Sequence, residues 1–160
     1  MHAKNTNATS IADGIVNVDI ETCWRKITDN RNMPYFTIAF SDEFQDLDHE
    51  IGPGTVIKRT GYFGSERRIF VIVYDKPYRF AWGSDMYSWD DFIELKKNGQ
   101  NTQIFLRRKF HPSIPTWYNF IFNKIPRKRD DCFDVDRCYG LTRERLDSII
   151  RVCKSIEGEV

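Results

Sequence analysis

The chain has 160 residues, 41% of them hydrophobic and 29% charged, with a formal net charge of +1 at pH 7. That length suits one domain around a single core, and the balance excludes a disordered or fibrous chain. The near-zero net charge leaves no global field to recruit nucleic acid or acidic lipid, and no stretch approaches the roughly 18 apolar residues of a membrane span.

The first residues, MHAKNTNATS, are polar and lack the apolar run of a signal peptide. Residues 1–9 are therefore expected to be a flexible leader on a cytoplasmic protein. SIADGIVNV reads as a first strand. In VDIETCWRKITDN, Asp19 can cap a helix by accepting hydrogen bonds from the free N–H groups of its first turn. Val18 and Cys23 occupy the two positions of a hydrophobic staple, and Glu21 suits the positive end of the helix. Ile20, Trp24 and Ile27 recur at helical spacing, and the helix should stop near Asn30. Asn32 and Pro34 mark a break, and MPYF predicts a brief helical turn before TIAFSDEF.

From there to Phe110 the pattern is strand and turn. GPG at 52–54 is a turn without the lysine and hydroxyl residue of a phosphate-binding loop. TVIKRTGYF follows as a strand. ERRIFVIVYD is a strand with apolar residues on both faces through its middle. In KPYRFAWGSD, Tyr78, Phe80 and Trp82 alternate with Arg79, Ala81 and Gly83. SWDDFIELKK and NTQIFLRRKF are joined through Asn98-Gly99, a strong hairpin signal.

Beyond His111-Pro112 the character changes. SIPTWYNFIFNKIP is aromatic-rich and is interrupted by Pro126. Lys124, Arg127, Lys128 and Arg129 are followed by Asp130, Asp131, Asp134 and Asp136, which cancel them locally and predict a solvated face or a salt-linked turn, with a phosphate contact as the alternative. LTRERLDSIIRVCKSIEGEV reads as a helix capped by Thr142, with Leu146, Ile149, Ile150, Cys153 and Ile156 as its apolar stripe and Gly158 as its stop. An earlier start near Asp134, with Gly140 inside the helix, is the alternative. Four cysteines (Cys23, Cys132, Cys138, Cys153) have no short paired spacing, and His2, His49 and His111 are far apart. The cysteines are expected to be reduced and mostly packed, and no metal or other cofactor is expected. The whole predicts an α+β domain: a curved antiparallel sheet closed by the last helix.

Five stretches, VDIETCWRKITDNRNMPYF, IGPGTVIKR, VIVYDKPYRFAW, IELKKNGQNTQI and the C-terminal helix, resemble the START-like or Bet v 1-like superfamily, which includes polyketide cyclase/dehydrase and lipid-transport proteins. Trp24 and Pro34-Tyr35 match its pattern, whereas Asp19-Ile20 replaces the usual proline entry to the first helix. Residues 10–110 carry the likeness, and 111–140 stand out as an atypical insert in a single domain of residues 1–160. The resemblance implies a helix-grip fold with a cavity between the sheet and the C-terminal helix. Members hold lipids, hormones, polyketides or aromatic rings there, and fold alone does not separate enzymes from carriers.

One residue breaks the alternation of SWDDFIEL. Trp89, Ile93 and Leu95 fall in one phase, and Asp91 falls with them. If the hairpin has a loop of about four residues, Leu95 faces Ile104, Ile93 faces Leu106, Asp91 faces Arg108 and Trp89 faces Phe110. A two-residue loop is expected to slip the partners by two while keeping Asp91 and Arg108 on one face. A charge-assisted pair would remove most of the objection to a buried carboxylate. It would either fix register or supply the orienting polar groups of an apolar pocket. Tyr35, Tyr78, Trp82, Trp89 and Trp117 are candidate wall residues beside that pair, with ordinary core packing as the alternative for each. WYNFIF could be a lid, a partner surface or core.

No serine or cysteine nucleophile motif is present, and no histidine is placed near a carboxylate by sequence, so no catalytic residue is assigned. Arg108 is expected to keep Asp91 charged and make it a poor acid. The expected function is binding or carriage of a hydrophobic small molecule or lipid, as a monomer or homodimer. A cyclase, dehydratase or hydrolase using the same cavity is one alternative, and an interaction module with a filled cavity is the other.

Overall fold

The structure is a computed structural model that describes residues 8–29, 31–33, 36, 51–60, 66–110 and 135–155. In chain order these form β1 (Ala8–Val16), α1 (Ile20–Thr28), β2 (Val56–Thr60), β3 (Glu66–Asp75), β4 (Arg79–Gly83), β5 (Asp91–Asn98), β6 (Asn101–Phe110) and α2 (Val135–Lys154). The six strands make one sheet in the order β1-β6-β5-β4-β3-β2, with every neighbouring pair antiparallel. The sheet wraps around α2, which packs mainly on β1 and also meets β6 and α1. This is the expected helix-grip architecture.

Local chemistry explains most boundaries. Asp19 caps α1: its Oδ1 accepts from the Thr22 backbone N–H at 3.0 Å and its Oδ2 from the Thr22 hydroxyl at 2.7 Å. The helix buries Cys23, Trp24, Lys26 and Ile27. β1 ends at Val16, two residues before the expected end, and the Thr102 hydroxyl donates instead to the Val18 carbonyl at 2.7 Å. In β3 the register against β4 shifts by one residue between Val71, paired with Trp82, and Val73, paired with Ala81.

The β5–β6 hairpin has the expected pairing: Asp91↔Arg108, Ile93↔Leu106 and Leu95↔Ile104. Its loop, however, is two residues long, because the ladder continues to Asn98↔Asn101 and leaves only Gly99 and Gln100 to turn. No slip accompanies the short loop. Gly99 takes φ 64°, the left-handed conformation that a tight turn needs and a side chain resists.

α2 starts at Val135, which agrees with the earlier of the two expected starts and corrects the assignment of Thr142 as its cap. Thr142 lies inside the helix, fully buried, and its hydroxyl donates to the Cys138 carbonyl one turn back at 2.8 Å. Leu146, Ile149, Val152 and Cys153 are buried against the sheet, and Ile150 packs at their edge. Each large aliphatic side chain buried in this way contributes about 1.5–3 kcal/mol. The other end of α2 is tied to α1, because the buried Lys26 donates from Nζ to the Ser155 carbonyl at 2.8 Å. No helix among the described residues is long and apolar enough to cross a membrane.

Candidate functional site

Alternation along β5 turns Asp91, Ile93 and Leu95 to the inner face of the sheet, and all three are buried. On β6 the same phase holds Arg108, Leu106, Ile104 and Thr102. Trp82 of β4 stands opposite Asp91 on its other side. Asp91 is only 3% exposed, although it carries a carboxylate.

Two arginines from different elements hold that carboxylate. Arg108 Nε of β6 is 3.0 Å from Oδ1, and Arg145 Nη1 of α2 donates to Oδ2 at 2.5 Å. The Arg108 N–H is not aimed well enough at Oδ1 to form a hydrogen bond, so this buried oxygen is held by charge without an aligned donor. Arg108 Nη1 donates to the Leu141 carbonyl at 3.1 Å, and its guanidinium lies 5.0 Å from the centre of the Phe110 ring. The side chains of Arg108 and Arg145 are 18% and 14% exposed.

Burial pushes the Asp91 carboxyl above its ordinary value, while Arg145 and then Arg108 pull it down. The expectation that Arg108 would decide the matter is corrected here: with so little solvent contact, desolvation outweighs the attraction of both guanidiniums. Burial likewise lowers Arg108, and Asp91 opposes that shift. Both directions express the same cost of taking charges out of water.

The inner face beside this triad is aromatic. Phe36 and Trp82 have ring centres 6.0 Å apart, Trp82 and Phe80 5.4 Å, Phe80 and Tyr74 6.1 Å, and Tyr74 and Trp24 5.0 Å. The row thus runs from Trp24 of α1 across β3 and β4 to Phe36, and passes Asp91 at Trp82. A polar-edged cleft of about 420 Å³ lies at the far end of this row, lined by Glu21, Thr22, Trp24, Arg25, Thr28, Tyr74 and Lys76.

Of the residues singled out by sequence, Trp82, Asp91 and Arg108 come together. Tyr78 does not join them: it sits in the turn before β4, and it is 53% exposed rather than in line with Phe80 and Trp82. Trp89 does not share the phase of Asp91 either. It precedes the strand, and its ring packs on Phe92, a residue of the opposite face, with Lys109 Nζ 4.0 Å from its centre. Tyr35, Trp117 and His111 lie outside the described residues, as does most of the 111–140 segment. Sequence reasoning missed Arg145. Its signal was present: Arg145 is four residues before Ile149 and seven before Val152, so it interrupts the buried stripe of α2 as Asp91 interrupts that of β5.

The arrangement can recognise polar oxygens. Guanidinium forks match carboxylates and other anions in plane, with two parallel N–H groups. Cys23, Cys138 and Cys153 are free thiols, the first and last buried. Among the described residues no group of three or more His, Cys, Asp or Glu could hold a metal ion.

Solved structures share this fold. A polyketide cyclase-like protein, Cgl2372 from Corynebacterium glutamicum, superposes with a TM-score of 0.60 at 13% identity, covering 93% of this chain and 91% of that one. The protein KanY gives 0.59 at 14% identity, over 93% and 99% of the two chains. CV1439 from Chromobacterium violaceum gives 0.56 at 11% identity, over 93% and 99%. No family model matches the sequence, and no curated protein does. At these identities the likeness is one of fold: the chain has the helix-grip fold of START-like and Bet v 1-like proteins.

Proposed function

We propose that this protein binds or carries a hydrophobic small molecule or lipid between the inner face of its sheet and α2, without catalysing a reaction on it. One observation carries the reading. On a largely apolar inner face, the aromatic row passes through Trp82, the register neighbour of Asp91, where three charged side chains, Asp91, Arg108 and Arg145, converge from β5, β6 and α2. Apolar walls with a few converging polar groups are the usual composition of small-ligand sites. Trp82, Asp91 and Arg108 are the lining residues this reading uses. Tyr35 and Trp117 remain candidate wall residues on sequence grounds, and Tyr78 and Trp89 are placed apart from them. The helix-grip fold adds support, since proteins of this fold generally bind hydrophobic ligands in a cavity.

The test is native mass spectrometry of gently purified protein, followed by titration with a neutral fluorescent apolar probe such as N-phenyl-1-naphthylamine. The expected result is a co-purifying mass or saturable binding of one probe per chain, with quenching of tryptophan emission. Neither a bound mass nor saturable binding would mean an interior filled with side chains, and the proposal would fall.

A further inference from the structure

We infer that Arg108 and Arg145 form a recognition site for a monoanion, and that the ligand bears a carboxylate at one end of its apolar body. This rests on the binding reading above and specifies its chemistry. The first ground is charge. Among the described residues two guanidiniums share one carboxylate, so with Asp91 ionised the triad carries a residual formal charge of one positive unit on side chains that are mostly shielded from water. A buried charge without a partner is expensive. Asp90, the adjacent carboxylate, acts on Asp91 by repulsion, and its Oδ2 accepts from the Ser84 N–H at 2.8 Å.

The second ground is donors. Among the described residues, Arg145 uses only Nη1, on Asp91. Arg108 uses Nε towards Asp91 and Nη1 on the Leu141 carbonyl. Among the described residues, that leaves Nε and Nη2 of Arg145, an adjacent planar pair, and Nη2 of Arg108 as N–H groups for a ligand. A carboxylate accepts such a pair in parallel.

The third ground is positioning. Asp91 gives one oxygen to the arginine of β6 and the other to the arginine of α2, so one buried carboxylate sets the spacing of the two guanidiniums. Asp91 is thus a positioning residue, and the arginines touch the ligand. Residual charge also chooses among anions: one unit is balanced by a carboxylate and exceeded by a phosphate dianion. The apolar body would lie along Trp82 and Phe36, because Trp82 stands beside Asp91 in register.

A matched pair of probes tests this: dansylaminoundecanoic acid and its methyl ester, titrated by fluorescence against wild type, Arg145→Lys and Arg145→Met. In Arg145→Met the acid is expected to bind about 10- to 100-fold more weakly, the loss of a charge-assisted hydrogen-bonded pair, while the ester changes by less than about 3-fold. Arg145→Lys keeps the charge without the fork and should fall between. If Arg145→Met does not fold by circular dichroism, Asp91→Asn/Arg145→Met removes both partners of the tightest contact and takes its place. Equal effects on acid and ester, or none on either, would overturn the carboxylate reading while leaving a binding cavity in place. Failure of wild type to bind either probe would instead overturn the binding reading on which it rests.

Discussion

Truncation of Asp91 to alanine would expose how the triad is balanced. Each guanidinium near 3 Å attracts the carboxylate by about 5 kcal/mol at an effective dielectric of about 20. Desolvation costs several kcal/mol per ion and cancels much of this, and the upward displacement of the Asp91 carboxyl shows burial prevailing at that group. The intact network is therefore worth little net. Its parts are not dispensable, because Asp91→Ala leaves Arg108 and Arg145 facing each other at 18% and 14% exposure with no acceptor between them. Removing one side of such a buried network costs about 3–5 kcal/mol, a large share of the roughly 5–15 kcal/mol that holds a domain together. Urea unfolding followed by circular dichroism at neutral pH should show a midpoint lowered by about 1.5–2.5 M for an m-value near 2 kcal/mol/M. Asp91→Leu/Arg108→Met/Arg145→Met, which removes all three charges at similar volume, should recover most of that loss. A cost below about 1 kcal/mol for Asp91→Ala, or no recovery in the triple variant, would refute the description of a buried, mutually dependent network.

Asp91 and Asp19 should give stability opposite dependences on pH. The folded Asp91 carboxyl lies above its ordinary 3.8, so its contribution is fully present below that value and is lost as pH rises through the folded pKa. Asp19 is lowered from 3.8 by its hydrogen bonds to Thr22, so its contribution is present above that value and is lost as pH falls through the folded pKa. The stability of wild type relative to Asp91→Asn should then decline with rising pH, and relative to Asp19→Asn it should increase; slopes of the same sign in urea titrations would contradict the assignment. Thr102→Val removes the hydroxyl that donates to the Val18 carbonyl at 2.7 Å from a fully buried position, and should cost about 1–3 kcal/mol by the same assay. Ile149→Ala, at a fully buried position of α2, should cost about 2–5 kcal/mol, and a loss under 1 would mean that the helix is not gripped as described. Gly83→Ala would drive its Cβ into the Ser88 carbonyl oxygen, and a loss of about 1–3 kcal/mol is expected, with an unchanged melting temperature arguing against the tight β4–loop contact.

Much of this molecule was legible in the chain because it depends on short-range geometry. The pleat sends alternate side chains to opposite faces, so Asp91 and Arg108 had to share a face with Ile93, Leu95, Leu106 and Ile104 once their strands paired. The α1 cap needed only Asp19 and the N–H groups three residues on. Composition and element order were enough for an antiparallel sheet with a closing helix. Where periodicity was extended past the end of a strand it failed: Trp89 lies beyond the β5 ladder and packs with Phe92, and Tyr78 belongs to a turn and faces solvent. Thr142 looked like a cap because hydroxyls favour helix starts, yet its hydroxyl is satisfied by Cys138 within the helix.

What tertiary structure alone decided is the partner of Asp91. Arg145 lies 54 residues away in the chain, and its charge is visible in the sequence as an interruption of the α2 stripe. No local rule says that this interruption and the one in β5 meet. They meet because α2 must bury its apolar stripe on the inner face of the sheet, and that single packing choice brings a second guanidinium onto a carboxylate that already had one. Sequence by itself determined that a charged pair would sit in an apolar face; the docking of the helix turned the pair into a triad with a charge left over.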